Sequence, residues 1–488
     1  MPELPEVETV RNVLKLWCVN KKIKKFYVYY PSVIENSDEN TLNTLLCSKT
    51  IIDIKRRGKF LIFDLGDYVL LSHLRMEGKW HYGYFKGEEN LEGFAFNPLN
   101  KDLDKDFKHV HFVIELENKQ ILMYHDVRKF GRIGLYPKET YESESSLSKL
   151  GKEPFDDTLN ALDLFNSFRK EKMGLKQMLL SQKYIVGVGN IYADEICFKL
   201  GLLPTTPINT LSLKNCEDLI KVTIEVLNKA IELGGSTIKS YHAANNVDGK
   251  FQNELLAYGK EGQVCPRCGY TFYKTFINGR GTTFCPACQK SNLANRIIGV
   301  SGAIGSGKSM VSSLIEKEGY ILLDADKIVK EGQEIDNVLY KKMITLFKGI
   351  NILNDDKSLN RGLVRNLILE NKELKEKLEN IIHPYVKSVI YENLLAKINA
   401  KFVLDIPLLY ESNLDKICDK VIYVNIDPLV QQERLLLRGT MPLKEAKGLE
   451  NSIYTNKEKI EKADFVISNN ASLAKLEKEV KLVLEKIN

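Results

Sequence analysis

The sequence predicts a multidomain protein: an N-terminal β-sandwich with a leading helix, a helical domain, a metal-binding hairpin and an α/β domain with a parallel sheet. Three observations predict it. Residues 23–136 carry short β-type apolar runs broken by Gly, Asp and Asn turns. Two Cys-x-x-Cys pairs, Cys265/Cys268 and Cys285/Cys288, stand sixteen residues apart. The run Gly302, Ala303, Ile304, Gly305, Ser306, Gly307, Lys308, Ser309 lies between a strand-like and a helix-like segment.

The chain has 488 residues, 44% of them hydrophobic and 27% charged, as in ordinary globular proteins. No apolar run reaches the roughly 18 residues of a membrane span. The acidic start Met1-Pro-Glu-Leu-Pro-Glu argues against a signal peptide. A cytoplasmic location is therefore expected, where paired cysteines point to metal rather than to disulfides. Cys18, Cys47, Cys197, Cys216 and Cys418 are scattered singly and read as small apolar residues. The net charge is +6. Its basic clusters, Lys21-Lys22-Ile-Lys24-Lys25 and Lys55-Arg56-Arg57-Gly-Lys59, read on charge alone as solvated faces. A monomer is expected.

Residues 2–19 predict a helix. A Pro suits its first turn, and Glu3, Glu6 and Glu8 suit the positive end of its dipole. The same residues support chemistry. Removal of Met1 would make Pro2 a secondary amine with a pKa of about 7.7–8.0, partly unprotonated near neutrality. Such an amine can attack a sugar C1′ to form an iminium, and the adjacent Glu3 can move protons on and off the sugar. Strands are predicted at 60–65, 69–73, 110–116 and 121–124, and a long loop at 83–108. Residues 156–259 read as helical, with helical spacing at 173–184 and 213–233. Between these, Val186-Gly-Val-Gly-Asn-Ile-Tyr192 is a Gly-rich turn opening a helix, whose N–H groups can hold a phosphate.

The cysteine spacing fits a tetrahedral zinc–thiolate site with no open position, hence a structural metal holding a hairpin too small for its own core. Arg280 falls at the hairpin tip. Beyond it, strand 296–301, the Gly-rich loop and a helix at 310–318 form the context of a phosphate-binding loop. Its N–H groups would cradle phosphates, Lys308 would meet the β- and γ-phosphates and Ser309 would ligate Mg²⁺. Strands at 320–324, 402–405, 420–425 and 465–468 alternate with helices, which predicts a parallel sheet. Asp324 and Asp326 stand at the end of the 320–324 strand, where such sheets place catalytic groups. The plainer reading is that they cap the next helix.

Several motifs carry a family resemblance. Met1-Pro-Glu-Leu-Pro-Glu-Val-Glu-Thr9, Arg56-Arg-Gly-Lys59, Ser72-His-Leu-Arg-Met-Glu-Gly78, Asp126-Val-Arg-Lys-Phe-Gly131, Leu150-Gly-Lys-Glu-Pro154 and Gly234-Gly-Ser-Thr-Ile238 stand in order. With the 186–192 turn and the cysteine quartet, residues 1–290 resemble formamidopyrimidine-DNA glycosylases, which remove 8-oxoguanine. The resemblance implies a catalytic sandwich (1–136), a helix-two-turn-helix DNA-binding domain (137–260) and a zinc finger (261–290). It implies Pro2 as nucleophile, Glu3 as acid/base, Glu6 beside the lesion pocket and Lys59 near the lesion phosphate. Met76, Arg128 and Phe130 would fill the gap left by a flipped base; Lys176, Asn190 and Arg280 would contact the DNA backbone.

Asp324 and Asp326, with His383-Pro384, Asp405-Ile-Pro-Leu-Leu-Tyr-Glu411, Gln432-Glu-Arg-Leu-Leu-Leu-Arg438 and Ala463-Asp-Phe-Val-Ile-Ser-Asn469, carry a second resemblance. Residues 296–488 are similar to dephospho-CoA kinases. Asp326 would accept the hydroxyl proton, Asp324 would support Mg²⁺ or substrate, and Arg434 and Arg438 would lie near a lid over ATP. Lys447 and Asn451 stand where that family carries Arg and Gln. The implied protein is bifunctional: a glycosylase/lyase for double-stranded DNA with oxidised purines, and a kinase using ATP and Mg²⁺ on dephospho-CoA. Two alternatives stay open at this stage: a second half that phosphorylates DNA ends, or a first half that only binds DNA.

Overall fold

The computed structural model describes residues 2–87, 94–97, 108–236, 249–438 and 454–487. It comprises two compact units: residues 1–263 with 272–284, and residues 264–271 with 285–488.

The first unit opens with α1 (Leu4–Cys18), then β1 (Ile23–Val28), α2 (Glu39–Leu46), β2 (Asp53–Arg57), β3 (Phe60–Asp64), β4 (Tyr68–His73), β5 (Lys79–Phe85), β6 (Phe94–Phe96), β7 (Val110–Leu116), β8 (Gln120–His125) and β9 (Arg132–Pro137). These strands form two sheets, β1-β7-β8-β5-β6 and β2-β3-β4-β9. Side chains of both meet in one core, including Leu61, Phe63, Trp80, Phe112 and Tyr124, with Val7, Val10 and Leu14 of α1. That is a sandwich closed by the leading helix. The 83–108 stretch is not all loop: β5 continues to Phe85, and β6 pairs with it in parallel. Residues 88–93 and 98–107 lie outside the described residues.

Helices follow: α3 (Tyr141–Glu144), α4 (Ala161–Phe168), α5 (Leu175–Ser181), α6 (Asn190–Leu200) and α7 (Leu213–Glu232). Their core takes in Leu4 of α1, so the first turn of the chain belongs to the helical layer and the rest of α1 to the sandwich. The hairpin β10 (Tyr273–Ile277) and β11 (Arg280–Phe284) completes the unit. Asn278 and Gly279 both have positive φ (49° and 72°), which gives the two-residue turn whose twist suits a tight hairpin.

The second unit contains β12 (Ile297–Gly302), α8 (Lys308–Lys317), β13 (Ile321–Asp324), α9 (Ala325–Gly332), α10 (Val338–Leu346), α11 (Arg361–Glu370), α12 (Lys372–Ala396), β14 (Phe402–Asp405), β15 (Lys420–Asn425), α13 (Pro428–Arg438), α14 (Asn456–Lys462), β16 (Phe465–Ser468) and α15 (Leu473–Ile487). The sheet order is β13-β14-β12-β15-β16, all parallel. β12 is central and buried along its length. The loop after it therefore opens at the middle of the sheet's carboxyl edge, where α/β proteins bind ligands.

Candidate active sites

The start of α1 lies against the 186–191 turn. The Leu4 N–H donates to Gly187 O at 3.0 Å. The Glu3 carboxylate accepts the N–H of Gly189 at 2.5 Å and of Ile191 at 2.9 Å, capping α6 from a distant part of the chain. Glycine makes room for it: a Cβ on Gly189 would stand 2.3 Å from Glu3 Cδ. This corrects the sequence reading, which gave the turn's N–H groups to a phosphate. Glu3 takes two of them. Burial pushes the Glu3 carboxyl up to about 7, and the nearby Lys59 charge works against that rise.

Lys59 follows a turn at Gly58 (φ 56°), is buried, and donates from Nζ to Val188 O at 2.9 Å. Burial lowers its pKa; Glu3 and Glu6 raise it, and Arg280 lowers it further. Pro2 is buried next to Glu3. The turn is braced from behind by Arg56, which pairs with Glu8 at 2.8 Å and Glu153 at 3.0 Å. The Gly58 N–H donates to Glu153 as well. Arg56 is thus spent inside the protein rather than forming part of a free basic stripe. Likewise Lys24 of the other cluster pairs with buried Glu115.

Glu6 accepts the Tyr192 hydroxyl at 2.6 Å, the Ser236 N–H at 2.7 Å and the Glu3 N–H at 2.8 Å. It is 3% exposed. Sequence reasoning missed Tyr192, whose signal was its place in the first turn after Asn190. Residues 237–248, read as a loop over a flipped base, lie outside the described residues.

Lys176 was expected on the DNA backbone. Instead it is 1% exposed. Its Nζ pairs with Asp194 at 2.7 Å and donates to Gly281 O at 3.0 Å and Thr282 Oγ1 at 2.8 Å. Asp194 also accepts the Thr283 N–H at 2.9 Å, and Asn190 Nδ2 donates to Gly281 O at 3.1 Å. Lys176, Asp194 and Asn190 therefore fasten β11 to α5 and α6. The reason is apolar crowding: an ammonium buried there must be paired. Their effect is to set the direction of exposed Arg280 at the start of β11.

Asp126 accepts the Arg128 N–H at 3.0 Å and the Gly131 N–H at 2.7 Å, pinning the turn after β8. That turn holds Phe130 outward, 48% exposed, with the Arg128 guanidinium 5.0 Å from its ring centre. Phe130 is not a core residue. Met76, in the turn between β4 and β5, is half-buried.

In the second unit Lys308 Nζ donates to Gly302 O at 2.9 Å and Ala303 O at 3.2 Å, curling over the loop that Gly302 to Ser309 forms. Asp324 does what the plainer reading proposed: its Oδ1 accepts the Lys327 N–H at 3.0 Å and caps α9. Asp326 sits in the next turn with solvent access; desolvation and Asp324 raise its pKa. Sequence reasoning passed over Asp405 as a site residue. It pairs in register with Asp324 and is 4% exposed. Burial and the Asp324 charge raise its carboxyl pKa, while the nearby Ser309 and Ser312 hydroxyls and the Lys308 charge lower it. Its signal was a strand-end carboxylate after the apolar run 402–404. Arg434 does not point to open solvent but donates to Asn469 O at 3.0 Å. Arg438 closes α13; its side chain, with Lys447 and Asn451, lies outside the described residues. A cavity of about 440 Å³ adjoins Lys308, lined also by Pro407, Leu408, Tyr454, Thr455 and Lys459.

The sulfurs of Cys265, Cys268, Cys285 and Cys288 lie within 4.8 Å of one another. Cys265–Cys288 and Cys268–Cys285 are 3.8 and 3.5 Å apart. Four thiolates about 2.3 Å from a zinc ion stand roughly 3.8 Å apart, so the residues fit a closed structural site. Cys265 and Cys285 are buried.

Family models match in chain order: the formamidopyrimidine-DNA glycosylase N-terminal domain at residues 1–133, its H2TH domain at 150–242, the zinc finger found in FPG and IleRS at 262–290, and dephospho-CoA kinase at 296–475. The formamidopyrimidine-DNA glycosylase of Cytobacillus firmus is 40% identical over 290 residues, 59% of this chain and 100% of that protein. That of Listeria monocytogenes is 38% identical with the same coverage. Among solved structures, Lactococcus lactis Fpg (MutM) bound to N7-benzyl-Fapy-dG DNA, and the same enzyme bound to abasic-site DNA, are each 38% identical. Each covers 59% of this chain and 100% of its own, with a TM-score of 0.52. Over its first 290 residues the chain belongs to the formamidopyrimidine-DNA glycosylase family, and it continues into a dephospho-CoA kinase domain.

Proposed function

We propose that the chain is a bifunctional enzyme: an oxidised-purine glycosylase and AP lyase that works through a Schiff base on Pro2, and an ATP-dependent kinase of the dephospho-CoA 3′-hydroxyl. The observation that carries the first activity is the Glu3 carboxyl, buried beside Pro2 with a pKa of about 7. After loss of Met1, the Pro2 amine attacks C1′ of the damaged nucleoside and the base leaves. Glu3 gives and takes the sugar's protons from its place on the α6 N-terminus. Lys59 supplies positive charge nearby, and Arg280 faces the phosphate backbone. Phe130, Arg128 and Met76 fill the stack where the base was. β,δ-Elimination then cuts the strand. We assign catalysis to 1–136, DNA binding to 137–260, metal binding to 261–290 and kinase function to 296–488.

In the kinase the loop N–H groups hold ATP phosphates, and Lys308 turns from its own loop carbonyls to the phosphates. Ser309 and Asp405 would hold Mg²⁺, which when bound neutralises charge on the transferring phosphoryl group. Asp326 takes the proton of the acceptor hydroxyl, and the cavity beside Lys308 admits the acceptor.

Two assays on the full chain test the reading. Borohydride should trap a covalent adduct on 8-oxoguanine duplex, and Pro2→Ala (leaving a primary amine) should trap far less. ATP, Mg²⁺ and dephospho-CoA should give CoA by mass, absent with Lys308→Ala. No adduct would leave a DNA-binding module; ATP turnover raised by nicked DNA without CoA would leave a DNA-end kinase.

A further inference from the structure

Four carbonyls of the phosphate loop accept side-chain donors, in two sets. Gly302 O and Ala303 O accept Lys308 from within the loop. Ile304 O and Ser306 O accept side-chain amides from outside it: Gln431 Nε2 at 2.7 Å and Asn469 Nδ2 at 2.8 Å. In a trans peptide each C=O points opposite to the next N–H. Holding Ile304 O and Ser306 O outward therefore aims the N–H groups of Gly305 and Gly307 into the loop. Both glycines have positive φ, 77° and 90°, which permits the alternation. A Cβ on Gly307 would lie 2.2 Å from Asn469 Nδ2, so the amide sits hard against the loop.

Asn469 is itself fixed. It directly follows β16, is 6% exposed, and its N–H donates to Asn425 O at 2.9 Å. Its own carbonyl accepts Arg434 Nη2 at 3.0 Å. Two residues of α13, Gln431 and Arg434, and the end of β16 thus converge on the outer side of the loop.

We infer that Asn469 is a positioning residue for phosphoryl transfer: it holds the Ser306 carbonyl outward so that the loop N–H groups face a nucleotide's phosphates, with Gln431 as the second tie. It touches no phosphate itself. The inference rests on the kinase reading of this half. A buried Asn that only satisfies a carbonyl would instead change stability and leave the two substrates' KM values moving together or not at all.

The test uses the full chain and the variants Asn469→Ala, Asn469→Asp and Gln431→Ala. Mg²⁺–ADP affinity is measured by calorimetry, then KM and kcat for ATP and dephospho-CoA, and thermal melting. Asn469→Ala should weaken Mg²⁺–ADP and raise the KM for ATP about tenfold, the scale of a hydrogen bond serving a charged ligand. The KM for dephospho-CoA should stay within about twofold. Asn469→Asp should be worse, because a carboxylate replaces the donor. Gln431, half-buried on α13, should give a smaller loss with unchanged melting. Unchanged nucleotide affinity in Asn469→Ala, or in Gln431→Ala should the Asn469 variants not fold, overturns the inference. If the native chain binds Mg²⁺–ADP but makes no CoA, the acceptor reading fails while the affinity ratios still decide the role of Asn469.

Discussion

The carboxylate of Glu3 accepts the Gly189 N–H at 2.5 Å across 186 residues of sequence. Burial opposes its charge while Lys59 and the helix N-terminus stabilise it, and the balance leaves the group near 7. A carboxyl so placed can donate a proton at neutral pH, unlike an exposed glutamate. On the proposed mechanism the Pro2 amine, in contrast, must be unprotonated to attack, and a free α-amino group has a pKa of about 7.7–8.0. Glycosylase activity should therefore peak between about pH 7 and 8. It falls below as Pro2 gains a proton and above as Glu3 loses one. Glu3→Gln should reduce single-turnover excision by about 10²–10⁴-fold and abolish the alkaline limb. A profile unchanged in that variant would remove Glu3 from proton transfer.

Lys176 and Asp194 set a second prediction. Both are buried and paired at 2.7 Å. Lys176→Met strands an acid whose carboxyl burial already pushes up to about 6. Loss of one partner should cost about 3–5 kcal/mol in urea unfolding, and Lys176→Met with Asp194→Leu should recover much of it. Because Lys176 holds β11 and acts on DNA through Arg280, adding the double variant to Arg280→Ala should leave the salt dependence of DNA affinity as it is in Arg280→Ala alone. A phosphate contact would lower that slope by about one.

The sequence disclosed periodicity and spacing well. Predicted strands at 110–116, 402–405, 420–425 and 465–468 match β7, β14, β15 and β16, because alternation and short apolar runs are local signals. The cysteine quartet was equally legible, since two C-x2-C pairs are a local metal-ligand spacing. What stayed hidden were long-range partnerships. Nothing near Gly189 announces that its N–H belongs to Glu3, and nothing near Lys176 announces Asp194. Lys176, read as a DNA contact in a linear string, became an internal tie once the chain folded. Asp405 was overlooked because its pairing with Asp324 exists only in the sheet register.

Phe130 separates binding from folding. It is 48% exposed on a turn fixed by Asp126. Phe130→Ala should change stability by no more than about 0.5 kcal/mol, as for a surface site. On the proposed role it should still slow excision, since Phe130 would be one of the side chains that fill the gap a flipped base leaves. A 2-aminopurine reporter beside the lesion would register slower or incomplete flipping. Equal flipping in the variant would place the wedge elsewhere.

Asp405 should trade activity against stability in the opposite sense from a core residue. Burial raises its folded pKa above the ordinary carboxylate value. The stabilisation from that shift is fully present below the ordinary pKa and is lost as pH rises through the raised one. At pH 8 the charge is therefore a burden to the empty kinase. Asp405→Asn should lower kcat for dephospho-CoA by about 10²-fold or more yet leave thermal melting at pH 8 equal or higher. A melting point that falls with activity would make Asp405 a structural acid.

Metal removal should reach the kinase. The segments 264–271 and 285–290 that carry the four cysteines fold in the same compact unit as residues 291–488. Tyr270, two residues after Cys268, shares a hydrogen bond with Tyr391 of α12 at 2.6 Å, both residues being buried. Lys290, two residues after Cys288, donates to Ile417 O at 2.7 Å and pairs with Asp419 at 3.3 Å. Asp419 in turn accepts the Ile297 N–H at the start of β12. The knuckle has no core of its own, so without metal its backbone loses what orders it, and these ties lose their anchor. Stripping zinc with a chelator, then restoring Mg²⁺ in excess, should lower the kinase melting transition by several degrees. Readdition of zinc should restore it. Tyr270→Phe with Lys290→Ala should keep one zinc per chain by colorimetric assay while making the kinase transition insensitive to chelation. A kinase transition unmoved by chelation in the native chain would show that the knuckle rests on the kinase without supporting it.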